Sequence, residues 1–469
     1  MKSRRVSRRA FLDAGVALPI AWGARPQPSV ASPLEEGPTL DACDDNETFR
    51  NWARTINCRP ARYCQPRSTE EVVGIVKDAL QAGKKVRAVG AGHSWSPLVL
   101  TGDVLVNLDR MASLTVDTAR RTATMQAGIR LKNLTRGITE KGLGMANLGS
   151  IQEQSITGAT ATGTHGTGVG LGILSTQILG MKLVTGTGDV LSLGAADAER
   201  LAAARVGLGA LGIVTEVTLQ CVPVYDLEFK ARFAKFDDVV PTIDALVRDN
   251  TRVRLWWLVP SIGPRDFMVV TTMNPPRTEA GARERSGGRL REPLPMDAEA
   301  LAATAAALAG APTEAALAPL TFVDRYDKVL TLPPFKILHR ECEYAIPVAS
   351  ASEALRALRR AVVEGDLSMK MPVEVRFAAK DDILLSPARG RDVCYIGIST
   401  EDNATEVFER FEPMMRRLGG RPHWGKCFSL VRKDFEAMYP DSFERFRALR
   451  TELDPRGVFA NELMQQLFD

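Results

Sequence analysis

Histidine is scarce in this 469-residue chain: the four residues stand at 93, 165, 339 and 423, none at the i,i+3 or i,i+4 spacing with which a helix grips a metal. Cysteine is nearly as sparse. The seven (43, 58, 64, 221, 342, 394, 427) form no CxxC, and an odd count leaves at least one thiol unpaired. Zinc or iron catalysis is therefore set aside, as is a disulfide-built scaffold; Cys58 and Cys64 are close enough in sequence to pair, but nothing requires it. The Gly-x-Gly turn at Gly90 and Gly92 does not continue into the GxGxxG of a dinucleotide-binding unit, because Ser94 and Trp95 occupy the later positions, and no internal repeat stands out. After the first thirty residues no apolar run could span a bilayer, because the Ala-rich stretch 297–318 is broken by Asp297, Glu299, Pro312 and Glu314 and reads as soluble helix. A basic surface is missing as well. Of 60 Lys+Arg and 56 Asp+Glu, residues 1–31 hold six and one, which leaves 54 against 55 for the rest. A nearly neutral body does not read as a nucleic-acid partner.

What is present is a folded, soluble composition, 45% hydrophobic and 25% charged, at a length that points to two domains. The basic surplus sits in a leader. SRRVSRRAFL (3–12) precedes an apolar stretch to about Ala24 and a small-x-small site at Ser29-Val30-Ala31. That order is a secretory signal, with an apolar region too short to span a membrane. The SRRAFL run resembles the bacterial twin-arginine signal, which implies export of an already folded chain to the periplasm or the extracellular space.

From Arg67 to about Val224 short helical and strand-like units alternate. STEEVVGIVKDALQAG (68–83) has a capping-type start and helical apolar spacing. KVRAVG (85–90), DVLVNL (103–108), TATMQAG (122–128), QILGMKLVTGTGDVLSL (177–193) and GIVTEVTLQCVP (212–223) read as strands, with a tight turn at GTGD (186–189). LKNLTRGITEKGLG (131–144) reads as a helix ending at glycines. The expectation is an α+β chain in four parts: a signal at 1–31, a cofactor domain at 44–225, a second α+β domain with an antiparallel sheet at 226–421, and a C-terminal segment at 422–469 that returns to the first. Residues 275–295, rich in Pro, Gly and charge, read as a surface excursion.

Four motifs carry chemistry. VRAVGAGHSWS (86–96) runs a strand into a Gly-x-Gly turn whose backbone N–H groups can approach a phosphate closely. GSIQEQSITGATATGTHGTG (149–168) has almost no large apolar side chain and offers backbone donors and small hydroxyls to a polyanion. In MPVEVRF (371–377) strand alternation puts Glu374 and Arg376 on one face and Val373, Val375 and Phe377 on the other; an exposed ion pair would look the same. GGRPHWGK (419–426) is a Gly-punctuated turn bearing His423, Trp424 and Lys426.

The order and wording of these motifs, with LGALGIVTEVTLQCVP (208–223), ECEYAIP (341–347), DDILLSP (381–387) and LDPRGVF (453–459), resemble the aldonolactone oxidoreductases of the vanillyl-alcohol-oxidase flavoprotein superfamily over nearly all of residues 55–469. The resemblance implies a two-part FAD-binding domain of the PCMH-type fold with a substrate (cap) domain. It implies that Gly90, Ala91, Gly92, His93 and Ser94 hold the FAD pyrophosphate, with His93 bonded covalently to the flavin. Gly149, Ser150, Ser155, Gly158, Thr160, Gly163, Thr164 and His165 would line the pyrophosphate and isoalloxazine, with His423 also at the cofactor. Gly212, Ile213 and Val214 would meet the adenine end. Glu374, Arg376 and Lys426 match the polar cluster at the flavin face: a cation can stabilise an alkoxide-like oxygen, and Lys426 or Glu374 could accept the hydroxyl proton. Ser150 and Ser399 match positions that contact substrate hydroxyls in related polyol oxidases. Gly149 stands where relatives that react poorly with O2 carry alanine, which favours oxidase behaviour; loop geometry is the other reason for a glycine there. The implied reaction is oxidation of the C2 hydroxyl of an L-gulono-, L-galactono- or D-arabinono-1,4-lactone, with O2 as acceptor and H2O2 as by-product. The alternatives are an alditol (polyol) oxidase, a lactone dehydrogenase passing electrons to an acceptor protein such as a cytochrome or to a dye, and a flavin-bearing binding protein without turnover.

Overall fold

The computed structural model describes residues 43–44, 47–260, 266–276, 320–332, 337–401 and 405–469. The leader, the Ala-rich stretch 297–318 and nearly all of the excursion 275–295 lie outside the described residues.

Among the described residues three larger sheets carry the chain. A four-stranded sheet runs Cys43–Asp44, Arg62–Cys64, Val104–Asn107, Val86–Val89, and its last three strands are parallel. Helix Thr69–Gln81 covers it. Ser68 caps that helix by accepting the Glu71 backbone N–H at 3.2 Å, and Glu71 in turn accepts from the Arg67 N–H at 2.8 Å, so the capping signal in the sequence marks the observed start. Val72, Ile75, Val76 and Ala79 form its buried stripe. A five-stranded antiparallel sheet comes next, in the order Val190–Leu193, Ile178–Val184, Ile213–Gln220, Thr122–Gln126, Leu114–Asp117. Its GTGD turn closes with the Thr185 N–H on the Asp189 carbonyl at 2.9 Å and with Gly188 at φ +82°, a conformation glycine adopts without strain.

The third sheet has eight antiparallel strands: Leu320–Arg325, Asp226–Lys235, Phe267–Asn274, Arg252–Leu258, Val373–Ala378, Val393–Thr400, Arg340–Pro347 and Arg421–Pro422. Val373, Val375, Phe377, Cys342, Tyr344 and Ile396 point to one face, into a core shared with Leu355 and Leu358 of helix Ala351–Val363 and Phe411 and Met415 of helix Thr405–Arg417. The opposite face turns Glu374, Arg376, Glu341 and Glu343 toward the first domain. Strand alternation therefore sorts apolar from charged side chains at one-residue spacing.

The C-terminal segment closes on the four-stranded sheet, with the Val86 N–H on the Val458 carbonyl at 2.8 Å. Asn461 donates to the Pro97, Leu98 and Leu100 carbonyls and caps the last helix, Glu462–Phe468, by accepting from the Met464 N–H. The cysteine question has an answer that spacing does not give. Cys64 is bonded to Cys43, its antiparallel neighbour, and Cys58 is free.

Candidate active site

Two cavities meet in the cleft between the Gly-rich loops and the eight-stranded sheet. The first, about 1100 Å³, is walled by the backbone of Gly90–Ser94 and of 207–214, with Ser155, Gly158 and Thr162 beside them. Glycine is required where these walls touch: a Cβ on Gly90 would lie 1.9 Å from Ser155 Oγ, and Gly92 has φ +66° with Phe49 3.3 Å from where its Cβ would stand. Ser155 Oγ is buried without a hydrogen-bond partner among the described residues. A long cavity walled by glycine backbone, with an orphaned hydroxyl at its side and few charged groups, fits the pyrophosphate and nucleoside of FAD.

Several lining residues stand outside the sequence expectations, Arg87 among them. Arg87, 1% exposed, points its guanidinium at backbone carbonyls: Nε to Leu98 at 2.7 Å, Nη1 to Gly209 at 2.9 Å and Phe459 at 2.6 Å, and Nη2 to Leu208 at 2.8 Å. Burial pushes its pKa down to about 10, so it stays charged at neutral pH. It ties the 208–209 wall to the C-terminal segment.

The second cavity, about 950 Å³, shares His93, Ser94, Gln154 and Thr162 with the first and holds Ser150, Thr164, His165, Glu374, Arg376, Ser399, His423 and Lys426 in its lining. His93 thus stands at the junction. Trp52 stacks near its ring at 5.7 Å between centroids and 21° between planes. Burial, then Arg130 and Lys426, lowers the His93 pKa to about 4, which leaves a neutral imidazole with a free lone pair.

Arg376 is the hub of the second cavity. Its Nη2 lies 3.0 Å from Glu343 Oε1 and 3.2 Å from Glu374 Oε2, and its Nη1 reaches the His165 carbonyl at 3.4 Å. Burial opposes its charge, but Glu374 and Glu343 outweigh burial and raise its pKa. Glu374 is held on its other side by Arg254, 3.5 Å away on the adjacent strand. Glu343 is 2% exposed; desolvation works to raise its carboxyl, yet Arg376 and then His165 hold it well below the carboxylate range. His165 Nε2 lies 3.3 Å from the same Glu343 oxygen, and Tyr395 stacks on the imidazole at 3.5 Å. Histidines that are scattered in sequence therefore converge: His165, Glu343 and His423 offer ligand-type atoms within 4.8 Å of one another. The positive charge beside Glu343 is supplied by Arg376.

The HWGK turn is fixed from both sides. Trp424, fully buried, stacks on Phe435 at 4.5 Å and donates to the Leu385 carbonyl at 2.7 Å. The His423 and Cys427 N–H groups bond the Glu343 and Glu341 carbonyls at 2.9 and 2.8 Å, and the Trp95 N–H bonds the Gly425 carbonyl at 2.7 Å. The GHSWS loop, the HWGK turn and strand Arg340–Pro347 are thereby joined, and Lys426 Nζ sits 4.3 Å over the Trp95 ring, paired with Glu341. The THGTG segment docks in the same way on the neighbouring strand, with the Gly168 N–H on the Phe377 carbonyl at 2.7 Å.

Gly90, Ala91, Gly92, Gly158, Gly212, Ile213 and Val214 all lie on the first cavity. Three residues expected at the cofactor line neither cavity. Thr160 is inside a short helix, Ile156–Ala161, and its hydroxyl donates to the Ile156 carbonyl at 2.9 Å. Gly163, at φ +78°, makes the turn after that helix and faces Pro387. Gly149 faces the THGTG segment, where a Cβ would meet Thr164 Cγ2 at 3.2 Å. Residues that sequence reasoning passes over are Arg87, Gln154, Thr162, Arg254, His339, Glu341 and Glu343. The last two stand two apart in ECEYAIP, alternating with the core residues Cys342 and Tyr344, and the alternation used for Glu374 and Arg376 would have found them.

Residues 217–467 match the D-arabinono-1,4-lactone oxidase family, and residues 60–194 match the FAD binding domain family. The chain is 35% identical over 447 residues to L-gulonolactone oxidase of Bos taurus, covering 90% of this chain and 98% of that one. It is 33% identical to L-gulono-1,4-lactone dehydrogenase of Mycobacterium tuberculosis, over 89% and 98% of the two chains. It is 30% identical to a putative D-arabinono-1,4-lactone oxidase of Neurospora crassa, over 87% and 84%. The fold resembles the crystal structure of cholesterol oxidase from B. sterolicum, with TM-score 0.75 and 18% identity over 93% of this chain and 100% of that one.

Proposed function

The chain belongs to the D-arabinono-1,4-lactone oxidase family, and on that premise we propose that it oxidises the C2 hydroxyl of a sugar 1,4-lactone of the L-gulono, L-galactono or D-arabinono type. The observation that carries the reading is the convergence of Glu374, Arg376 and Lys426 on a cavity that opens into the glycine-walled one at His93. Bound FAD supplies the two-electron acceptor that removes a hydride from the carbinol carbon. The chain's own residues do the rest. The Gly90–Ser94 and 207–214 walls hold the cofactor, while Arg376, fixed by two carboxylates and shielded from water, stabilises the negative charge that develops on the substrate oxygen. Ser150 and Ser399 stand on the same cavity, in reach of the remaining lactone hydroxyls. The product is a 2-keto-lactone, which enolises to ascorbate or an analogue.

O2 as final acceptor, giving H2O2, is supported by the oxidase name of the Bos taurus relative and by the family resemblance at Gly149, which in the fold packs against Thr164 and lines neither cavity. A dehydrogenase passing electrons to an acceptor protein is the second reading, favoured by the name of the Mycobacterium tuberculosis relative. A covalent bond from His93 to the flavin is supported by that residue's position at the junction and by its neutral imidazole. Export rests on the leader, in which SRRVSRRAFL runs into an apolar stretch and a small-x-small site. No helix among the described residues is long and apolar enough to cross a membrane.

Anaerobic mixing tests the substrate. L-gulono-1,4-lactone is expected to bleach the visible flavin band, and bleaching by xylitol alone would replace the lactone reading with a polyol one. Readmitted air restores the band in an oxidase; a flavin that stays reduced until a dye is added is a dehydrogenase's.

A further inference from the structure

Trp256 belongs to none of the sequence motifs, yet it lines the second cavity. On strand Arg252–Leu258 it is the register partner of Glu374, so the two side chains share the cavity face while Leu255 and Trp257 point into the opposite core. Its indole N–H differs from its neighbours. Trp95, Trp257 and Trp424 each donate from Nε1, at 2.6 Å to the His339 carbonyl, 2.6 Å to Asp266 Oδ1 and 2.7 Å to the Leu385 carbonyl. Trp256 is 6% exposed, and its Nε1 is buried with no acceptor among the described residues. A buried donor left without an acceptor is unfavourable and rare in native proteins. The acceptor beside it is equally idle: Glu374 Oε1 is buried and makes no hydrogen bond among the described residues, although Arg254 Nε stands 3.5 Å from it. Ile151, Leu332 and Pro372, which also line the cavity, carry no side-chain acceptor.

We propose that the Trp256 indole N–H donates to the carbonyl oxygen of a 1,4-lactone, and that this contact selects a lactone ring over a polyol. The proposal rests on the lactone oxidation argued above and names the group by which the site recognises its substrate. An indole N–H donates and cannot accept, whereas an ionised carboxylate accepts and cannot donate. Side by side on one face, the pair fits a ligand with an acceptor and a hydroxyl on neighbouring carbons. The C1 carbonyl and C2 hydroxyl of an aldonolactone have that arrangement. A polyol lacks the carbonyl; a hydroxyl placed at the indole brings a hydrogen of its own, which needs a second acceptor there. A carbonyl held at Trp256 orients the adjacent C2 carbinol without taking part in the bond changes, so its loss weakens ground and transition states alike.

Two ligands that cannot be oxidised at C2 test it on the FAD-loaded holoenzyme: a 2-deoxy-1,4-lactone, and the same ring with CH2 in place of the C1 carbonyl. Binding is read from the perturbation of the visible flavin band. The parent is expected to hold the lactone about tenfold more tightly than the ether, and Trp256→Phe, which keeps an aromatic ring, should bring the two within about twofold. A loss of packing alone would weaken both ligands and leave their ratio in place. In 15N-labelled parent the Trp256 indole signal, identified by its loss in Trp256→Phe or, should that variant not fold, in Trp256→His, should move downfield with the lactone and not with the ether. Under anaerobic reduction by L-gulono-1,4-lactone, Trp256→Phe should raise KM about tenfold with the limiting rate within about threefold of the parent. An unchanged ratio in Trp256→Phe, or an indole signal that ignores the lactone, overturns the proposal, while reduction of the parent by L-gulono-1,4-lactone still upholds the functional reading. The expected ratio and signal without any reduction by that lactone would support the Trp256 contact and overturn the catalytic reading instead. A parent reduced by xylitol that neither binds nor oxidises a lactone overturns both.

Discussion

Replacing Arg87 with methionine removes four hydrogen bonds at once while nearly conserving volume. The guanidinium donates at 2.6 to 2.9 Å to the Leu98, Leu208, Gly209 and Phe459 carbonyls, and it forms no ion pair with a carboxylate among the described residues. Each carbonyl left without a donor in the dry interior costs about 1–1.5 kcal/mol, hence about 4–6 together. Some of that returns, because a buried cation is costly in itself and methionine is not. The net expectation is a loss of about 3–5 kcal/mol, which for a chain of this size lowers Tm by roughly 3–5 °C. Leu208 and Gly209 wall the first cavity, so Arg87→Met should also retain less FAD after dialysis. Differential scanning fluorimetry and the ratio of flavin to protein absorbance measure both quantities. Arg87→Lys should fall between, since an ammonium has three donors and no planar fork. A Tm within about 2 °C of the parent and full FAD content in Arg87→Met would refute the reasoning, by showing that water or backbone movement satisfies those carbonyls.

Other expectations rest on single observations. His93→Ala should release its flavin into the supernatant on acid precipitation while the parent keeps its colour in the pellet; colour released from the parent would remove the covalent bond. Gly149→Ala places a methyl 3.2 Å from Thr164 Cγ2, so the neighbour must give by a few tenths of an ångström; reoxidation by air should slow by about tenfold with anaerobic reduction within a factor of two, a barrier change of about 1.4 kcal/mol, and an unchanged reoxidation rate would detach Gly149 from the choice of acceptor. Asp381 is raised from 3.8 to about 6, chiefly by burial, so the folded state binds its proton more tightly than the unfolded one. Its contribution is full below about pH 4 and is lost as pH rises through about 6, and the Tm of the parent should fall relative to that of Asp381→Asn over that interval. Arg8→Lys with Arg9→Lys should hold the chain in the cytoplasm of a bacterial host, and undiminished export would discard the twin-arginine reading.

How much of this is legible in the sequence depends on whether the signal is local. The helix at Thr69–Gln81 announces itself by Ser68 and Glu71, and the strand Val373–Ala378 by alternation that already places Glu374 and Arg376 on one face. The glycines at 90 and 92 mark a backbone approach, and the cavity is there. What escapes is made by distance in the chain. Arg87 reads as a polar residue in a strand, and only the arrival of Phe459, 372 positions later, explains why it is buried. Cys43 pairs with Cys64 because two strands lie side by side, which no count of intervening residues reveals. Thr160 is placed at the cofactor by the family resemblance, yet a short helix turns its hydroxyl back on the chain. His165 and Glu343 are unremarkable apart and 3.3 Å from each other in the fold.

The closing of the C-terminal segment over the four-stranded sheet has a consequence in time. Val458, Phe459 and Asn461 complete the support beneath residues 86–100 and the 208–209 wall, and they follow those residues in the chain by hundreds of positions. The glycine-lined half of the cleft is therefore translated well before the segment that braces it. A nascent chain would hold its nucleotide weakly until residues 458–461 have emerged and docked.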